Sequence, residues 1–339
     1  MFITRTPLRV SFLGGGSDYK EFFQDIPGYV LGTTVDLYVY VSVIQHSSLA
    51  DSKFRLSYRL NEDVESIGDF KHPVVREILK AHYSNPVGLH IATQADVPAR
   101  TGLGSSSAFT VGLLHAIQRL NKIDIDMDYL AKESVRIERV ILNESGGYQD
   151  QYHAAHGGLA LYRFDSHGVT RRQLNNSEFL DKSMILVGIG APRDSVEFAN
   201  KIKERVTSNT GKTLATELSI LAKYTSSALE SSNSDPEKRA LLSEAMNEAW
   251  KLKQNLSQEL LNPSVIEVIE LAMNNGASAA KLCGAGGSGF VLVMCEPTNL
   301  ENLMKTFIDY PVREISSIPH GTQSGPISWE DQAIFKSSW

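Results

Sequence analysis

The sequence predicts an α+β fold in two successive units, and three observations carry that expectation. Runs that read as strands are interleaved with amphipathic helical runs, but without the regular strand–helix alternation of a doubly wound sheet. The chain has 339 residues, more than one hydrophobic core usually organises, so two domains with a cleft between them are expected. Its character also changes after a polar run, Asp165 to Asn176, where a strand-rich part gives way to long helical segments. The boundary is therefore set at 1–170 and 171–339.

In the first unit, Leu8 to Leu13 alternates apolar and polar residues, reads as a half-buried strand and stops at Gly14-Gly15-Gly16. Three glycines break a strand and let backbone approach a ligand, while Ser17 and Asp18 place polar groups beside them. A tight turn with Asp18 as a helix cap would read the same way. Val35 to Ile44, Phe54 to Leu60 and Leu89 to Gln94 are strand-like, being rich in β-branched and aromatic residues or alternating. Pro73 to Tyr83 is helical, with proline at a permitted first-turn position.

The loop Asp96 to Ala108 carries Gly102-Leu103-Gly104-Ser105-Ser106-Ser107 and enters a helix whose buried side holds Leu113, Leu114, Ile117 and Leu120. Free amides at a helix start favour an anion, although a serine-capped loop has the same appearance. Tyr129 to Leu142 forms a second helix with Leu130, Ser134, Ile137 and Ile141 inward and Glu138 at the margin of that stripe. A second glycine turn, Ser145 to Tyr152, presents Asp150; Leu159 to Phe164 is a strand, and Asp165 to Asn176 an exposed hairpin or linker.

The second unit begins with the apolar strand Met184 to Gly190. Helices are expected over 194–206, 214–231, 236–256 and 264–274, the last ending at the stop signal Asn275-Gly276. A strand at 277–281, the turn Gly284-Ala285-Gly286-Gly287-Ser288-Gly289 and a strand at 290–295 come next. A helix over 299–307 and a strand over 312–315 close the unit, and the tail from Ser316 has little periodicity.

Composition narrows the function classes. At 42% hydrophobic and 21% charged residues, the chain is an ordinary globular protein. A formal charge of -6 without a basic run argues against nucleic acid. Two cysteines, Cys283 and Cys295, are too few for a disulfide framework and wrongly patterned for zinc. With no basic-then-apolar leader and no run of about 18 apolar residues, a cytoplasmic protein with no membrane partner is expected. The sequence leaves monomer or homodimer open.

Three glycine-rich turns, each joined to a strand, are explained together by one anionic ligand. The middle turn lacks both the Gly-Lys-Ser/Thr ending of a Walker loop and the Gly-x-Gly-x-x-Gly of a dinucleotide fold. Pro7 to Tyr19, Pro98 with Gly102 to Ala108, and Lys281 to Gly289 resemble the three motifs of the GHMP small-molecule kinases, in the family's order and spacing. The resemblance covers nearly the whole chain. It implies a ribosomal-protein-like N-terminal domain, a ferredoxin-like C-terminal domain, and ATP with Mg2+ in the cleft.

On that resemblance, Gly102, Leu103, Gly104, Ser105, Ser106 and Ser107 wrap the ATP phosphates, and Ser106 and Glu138 are the magnesium ligands. Asp150 matches the family's catalytic aspartate and Arg9 the basic residue beside it, which would keep the carboxylate ionised. The substrate side is implied to comprise Gly15, Gly16, Ser17, Asp18, Gly147, Tyr148, Arg193, Gly284, Gly286 and Gly287. Arg193 is the candidate to reach a sugar phosphate, with surface exposure an open alternative; Lys20 and Arg100 are further candidates.

Galactokinases carry Glu-His where this chain has Gly15-Gly16, which puts galactose in doubt. The Gly-Gly-Gly-Ser-Asp form of the first motif is most similar to that of bacterial D-glycero-D-manno-heptose 7-phosphate kinases, while fucokinases carry a related Gly-Gly-Trp-Ser-Asp. The resemblance implies a sugar kinase acting on an anomeric hydroxyl. A fucokinase-like or other sugar 1-kinase and a non-catalytic sugar sensor on the same fold stay open, while the first motif disfavours a decarboxylase of the superfamily.

Overall fold

A computed structural model describes residues 1–46, 52–99, 101–190, 195–232, 234–256, 262–284 and 289–326. Strand β1 is Phe2–Leu13, and the short helix α1, Lys20–Phe23, follows the first glycine turn. Next come β2 (Gly28–Gln45), β3 (Phe54–Ser57), β4 (Asn61–Val64), α2 (Pro73–His82) and β5 (Leu89–Ala95). Helices α3 (Ser105–Leu120), α4 (Met127–Val135) and α5 (Gln149–His156) precede the hairpin β6 (Ala160–Asp165) and β7 (Gly168–Gln173). The remainder comprises β8 (Met184–Gly188), α6 (Ser195–Thr207), α7 (Asn209–Ser231), α8 (Asp235–Leu256), α9 (Pro263–Asn274), β9 (Ala279–Leu282), β10 (Phe290–Met294), α10 (Leu300–Thr306), β11 (Val312–Glu314) and β12 (Gln323–Pro326).

The strands form two sheets. The larger runs β12-β1-β2-β5-β3-β4, with β6 against the first part of β2 and β7 outside β6. The smaller is β11-β8-β10-β9, antiparallel throughout. Strand β2 serves two neighbours along one edge, pairing β6 over Gly28–Gly32 and β5 over Val39–Gln45. Its alternation decides which face is inside, since Leu37, Val39, Val41 and Val43 are buried while the intervening Tyr38, Tyr40 and Ser42 are half-buried.

The small sheet is covered on both sides. Ile185 and Val187 of β8, with Val291 and Val293 of β10, pack with Trp250, Val265 and Val268 of the outer helices. The alternate residues Met184, Leu186, Leu292 and Met294 join the large core shared with the first sheet. Period-two alternation thus divides one sheet between two cores, and helices on mainly antiparallel sheets, in which only β3 and β5 pair in parallel among the described strands, make the α+β fold that is expected.

Several elements differ from the expectation. Strand-like Phe2-Ile3 joins the first strand, whose edge is unexpectedly paired with β12 in the tail, a strand whose short polar sequence carries no periodicity signal. The position 170/171 falls inside β7; the chain leaves the first sheet after Gln173, enters the second at Met184 and returns to the first at Gln323. The polar segment Gln149–His156 is a helix, and Asn61–Val64 adds a strand after Phe54–Ser57. Both cysteines are buried free thiols. No helix among the described residues is long and apolar enough to cross a membrane.

Candidate active site

Helix α3 lies along β1 through Gly112, where a Cβ would come within 2.7 Å of Thr6 Oγ1, and Thr4 Oγ1 donates to Gly112 O at 3.0 Å. This close approach brings the helix start to the middle of β1, where Arg9 sits. Gly104 caps the helix in the left-handed region (φ 76°) and provides no capping side chain. The first-turn amides of a 16-residue helix are therefore open to an external anion. Leu103 is fully buried and Ser105 and Ser107 are buried, while Ser106 is exposed.

Arg9, 6% exposed, joins this loop to α5. Its Nε donates to Asp150 Oδ1 at 2.8 Å, its Nη2 lies 2.7 Å from the same oxygen in an ion pair, and its Nη1 donates to Gly102 O at 2.6 Å. Because both contacts go to one oxygen, Oδ2 is left facing the loop; a Cβ on Gly104 would meet it at 3.4 Å. Asp150 occupies the first turn of α5, where the helix dipole favours a carboxylate. Asp150, Arg9, Gly102 and Gly104 are thus brought together as the sequence anticipates.

Glu138 is 1% exposed, not at the margin of its helix. The helix after α4 widens into a π-turn over Arg136–Ile141, with Leu142 N donating to Ile137 O five residues back. One inserted residue turns the rest of the helix back by about 100°, which carries Glu138 onto the inner stripe. The same rotation carries Ile141, expected inside, out to 40% exposure.

Once inside, Glu138 Oε2 accepts from Ser107 Oγ at 2.9 Å and Gln151 Nε2 at 2.7 Å, and lies 3.3 Å from Arg139 Nη2. Its Oε1 is buried with no hydrogen-bond partner among the described residues. The structure therefore pairs Glu138 with Ser107, and Ser106 stands one residue away with its side chain exposed. Sequence reading missed Gln151, whose amide also donates to Ser107 Oγ at 3.0 Å; its place one residue after Asp150 was the available signal.

Asp18 is fully buried below the first glycine turn. Its Oδ1 accepts from Gly16 N at 3.1 Å; its Oδ2 accepts from Gln149 N at 3.2 Å and Gln149 Nε2 at 2.9 Å. Burial, and then the charge of Asp150, raise its pKa. Gly147 is required by this clamp, because a Cβ there would fall 1.8 Å from Asp18 Oδ2. Asp18 therefore buttresses the turn, with both oxygens taken by protein donors.

Ser17 Oγ donates to the Gly14 and Tyr29 carbonyls at 2.8 and 3.2 Å. Tyr148 N donates to Asp18 O at 3.0 Å, and its half-buried ring meets Phe23 edge-on at 5.1 Å. Around Gly15 there is space for a side chain, with nothing within 4 Å of an added Cβ.

Cys283 and Gly284, which enter the third glycine run, pack on the second turn, since a Cβ on Gly102 would come within 2.7 Å of Cys283 O, and one on Gly284 within 2.5 Å of Gly102 Cα. Arg100, Arg193, Gly286 and Gly287 lie outside the described residues. Two features of this arrangement fit a nucleotide with a divalent cation: the uncapped start of α3 and the orphaned Oε1 of buried Glu138. Such a group would meet the Gly102–Ser107 loop on one side and the Arg9–Asp150 pair on the other.

Comparison with known proteins agrees. The GHMP kinases N terminal domain matches residues 71–158 and the GHMP kinases C terminal matches residues 229–306. The chain is 29% identical over 315 residues to a D-glycero-alpha-D-manno-heptose 7-phosphate kinase of Campylobacter jejuni, covering 89% of this chain and 91% of that one. It is 24% identical over 324 residues to the bifunctional fucokinase/GDP-fucose pyrophosphorylase of Arabidopsis thaliana, covering 86% of this chain but 29% of the larger protein.

The crystal structure of a D-glycero-D-manno-heptose 1-phosphate kinase from Bacteroides thetaiotaomicron shares the fold, with a TM-score of 0.75 at 23% identity, covering 97% of this chain and 100% of that one. With both domain models matched in order, and the Gly102–Ser107 loop, Glu138 and Gly284 brought to one place, the chain belongs to the GHMP kinase family of phosphotransferases that act on alcohol groups.

Proposed function

We propose that the protein is an ATP-dependent sugar kinase that phosphorylates the anomeric hydroxyl of D-glycero-D-manno-heptose 7-phosphate to the 1,7-bisphosphate. The observation that carries the reading is the Arg9–Asp150 pair under the Gly102–Ser107 loop. In this reading the pair sets a carboxylate that can accept a hydroxyl proton beside a cradle for phosphates. The likeness over most of both chains to a heptose 7-phosphate kinase supports the choice of sugar.

In this reading Asp150 orients the sugar hydroxyl through Oδ2 and takes its proton as the oxygen attacks, while Arg9 holds the carboxylate by Oδ1. Phosphoryl transfer depends mainly on alignment and charge neutralisation, and a placed base adds about 10²- to 10⁴-fold. ATP supplies the phosphoryl group when bound, and Mg2+ neutralises charge on it. The amides at the start of α3 would hold the phosphates, and Glu138, with Ser106 or Ser107, the metal.

On the acceptor side, the Gly14–Asp18 turn forms one wall, with Asp18 fixing its shape and Gly15 leaving room. Arg193 is the proposed partner of a phosphate on the sugar. A panel of free and phosphorylated sugars tests the proposal through the initial rate of ADP release. Heptose 7-phosphate is expected to give the highest kcat/KM; equal or better turnover of L-fucose would sink the heptose reading. Saturable sugar binding with no ADP release from any sugar would instead indicate a sensor.

A further inference from the structure

A buried lysine and a half-buried one stand beside the reaction machinery without entering it. Lys281, on β9, is 6% exposed, and its Nζ crosses to the first sheet to donate to the carbonyls of Ser11 (2.9 Å) and Phe12 (2.6 Å). Lys253, on α8, donates through Nζ to the carbonyls of Gly284 (2.5 Å) and Leu282 (3.4 Å). Among the described residues, the titratable groups that shift this pair are Lys253, acting on Lys281, together with Cys283 and Arg9, and none of these is a carboxylate. Burial first, and then the positive charges of Lys253 on Lys281 and of Arg9 on both, hold Lys253 at about 8 and Lys281 at about 7, far below the ordinary lysine value, with Cys283 opposing the shift.

Burying cations without acids is costly, and here the bonds they make fall at two particular places. Ser11 and Phe12 immediately precede Leu13 and the glycine turn at Gly14. Gly284 is the residue whose Cα packs on Gly102 of the phosphate loop. Each lysine reaches its target from the second unit of the chain.

We propose that Lys281 and Lys253 are positioning residues for different halves of the reaction: Lys281 sets the first glycine turn for the sugar, and Lys253 sets Gly284 against the phosphate loop for the nucleotide. The acceptor half rests on the sugar-kinase reading above. The nucleotide half requires only that the Gly102–Ser107 loop binds phosphates.

Methionine substitutions keep the length of the stem and remove the N–H donors. Lys281→Met is expected to raise KM for the sugar phosphate about tenfold, the scale of a lost charged hydrogen bond, with the Kd of the non-hydrolysable analogue AMPPNP within about twofold of wild type. Lys253→Met is expected to do the reverse. Calorimetry gives the AMPPNP affinity independently of turnover, and Lys281→Gln and Lys253→Gln serve as milder variants where a methionine variant does not fold.

A purely structural role would shift both constants together in both variants, or neither, and either pattern overturns the inference. Should the wild-type protein turn over no sugar, the sugar reading fails and the AMPPNP contrast decides alone. Weakened binding in the Lys253 variant but not the Lys281 variant sustains the assignment, and equal weakening refutes it.

Discussion

Replacing Asp150 by asparagine tests the proposed base with the least change in shape. The carboxylate accepts from Arg9 Nε on Oδ1 at 2.8 Å, with Arg9 Nη2 2.7 Å from the same oxygen, and leaves Oδ2 beside Gly104. Asparagine can keep an oxygen toward Arg9 but takes no proton from a hydroxyl. The loss expected is the contribution of a positioned base, about 10²- to 10⁴-fold in kcat, or about 2.7 to 5.4 kcal/mol of barrier.

A second effect is separable from the first. Arg9, nearly buried, loses its counter-charge, which should lower stability by about 1–3 kcal/mol; the one-fifth exposure of the Asp150 side chain keeps it from being larger. The assay pairs ADP release with AMPPNP calorimetry on the same preparation, after a urea unfolding curve shows the variant folded. Transfer should fall by the stated factor while AMPPNP affinity stays within about threefold, since the Gly102–Ser107 loop is untouched. Turnover within about fivefold of wild type would refute Asp150 as the base. Nucleotide affinity falling in step with turnover would show that the pair holds the loop and does no chemistry.

Other outcomes are expected from the same geometry. Glu138→Gln, which keeps the acceptor for Ser107 and Gln151 but removes the charge, should raise the Mg2+ concentration for half-maximal rate about tenfold or more; an unchanged Mg2+ titration would remove Glu138 from the metal site. Gly147→Ala forces a Cβ to 1.8 Å from Asp18 Oδ2 and should cost about 1–3 kcal/mol in urea unfolding, whereas Gly15→Ala, with open space around it, should stay within about 0.5 kcal/mol. The pH dependence of stability is set in part by Lys281. Its folded value is about 7 against an ordinary 10.5, so between these limits the unfolded chain binds the extra proton and stability rises with pH. The contribution approaches about 1.4 kcal/mol per pH unit. Lys281→Met should flatten the rise in urea stability between about pH 7.5 and 9.5 by that order, and identical slopes would contradict the burial argument.

Much of the fold is legible from local pattern. The alternation in β1 and β2, the stop at Gly14-Gly15-Gly16 and the helical spacing through α3 each specify an element before any tertiary contact is known. What is not legible arises from distant partners. β12 is a strand because β1 offers it an edge, and Gln149–His156 is helical because α5 packs against α3, α4 and β1.

The site divides in the same way. Arg9, Gly102, Gly104 and Asp150 are marked by motif and meet as expected. Glu138 is also marked, but its burial comes from a π-turn that no periodicity announces. Asp18 looks like a group presented to a ligand, yet backbone amides placed by Gly16 and Gln149 claim its oxygens. Lys253 sits in an ordinary helical run, and only the third dimension brings it to Gly284.

Phosphoryl transfer to an anomeric hydroxyl is checked without intermediaries by phosphorus NMR of the product formed from ATP, Mg2+ and D-glycero-D-manno-heptose 7-phosphate. A new phosphate resonance coupled to the anomeric proton should appear with wild-type protein and be suppressed in Asp150→Asn. A phosphate attached at any other carbon, or the same resonance at undiminished rate from Asp150→Asn, would overturn the assignment of this site.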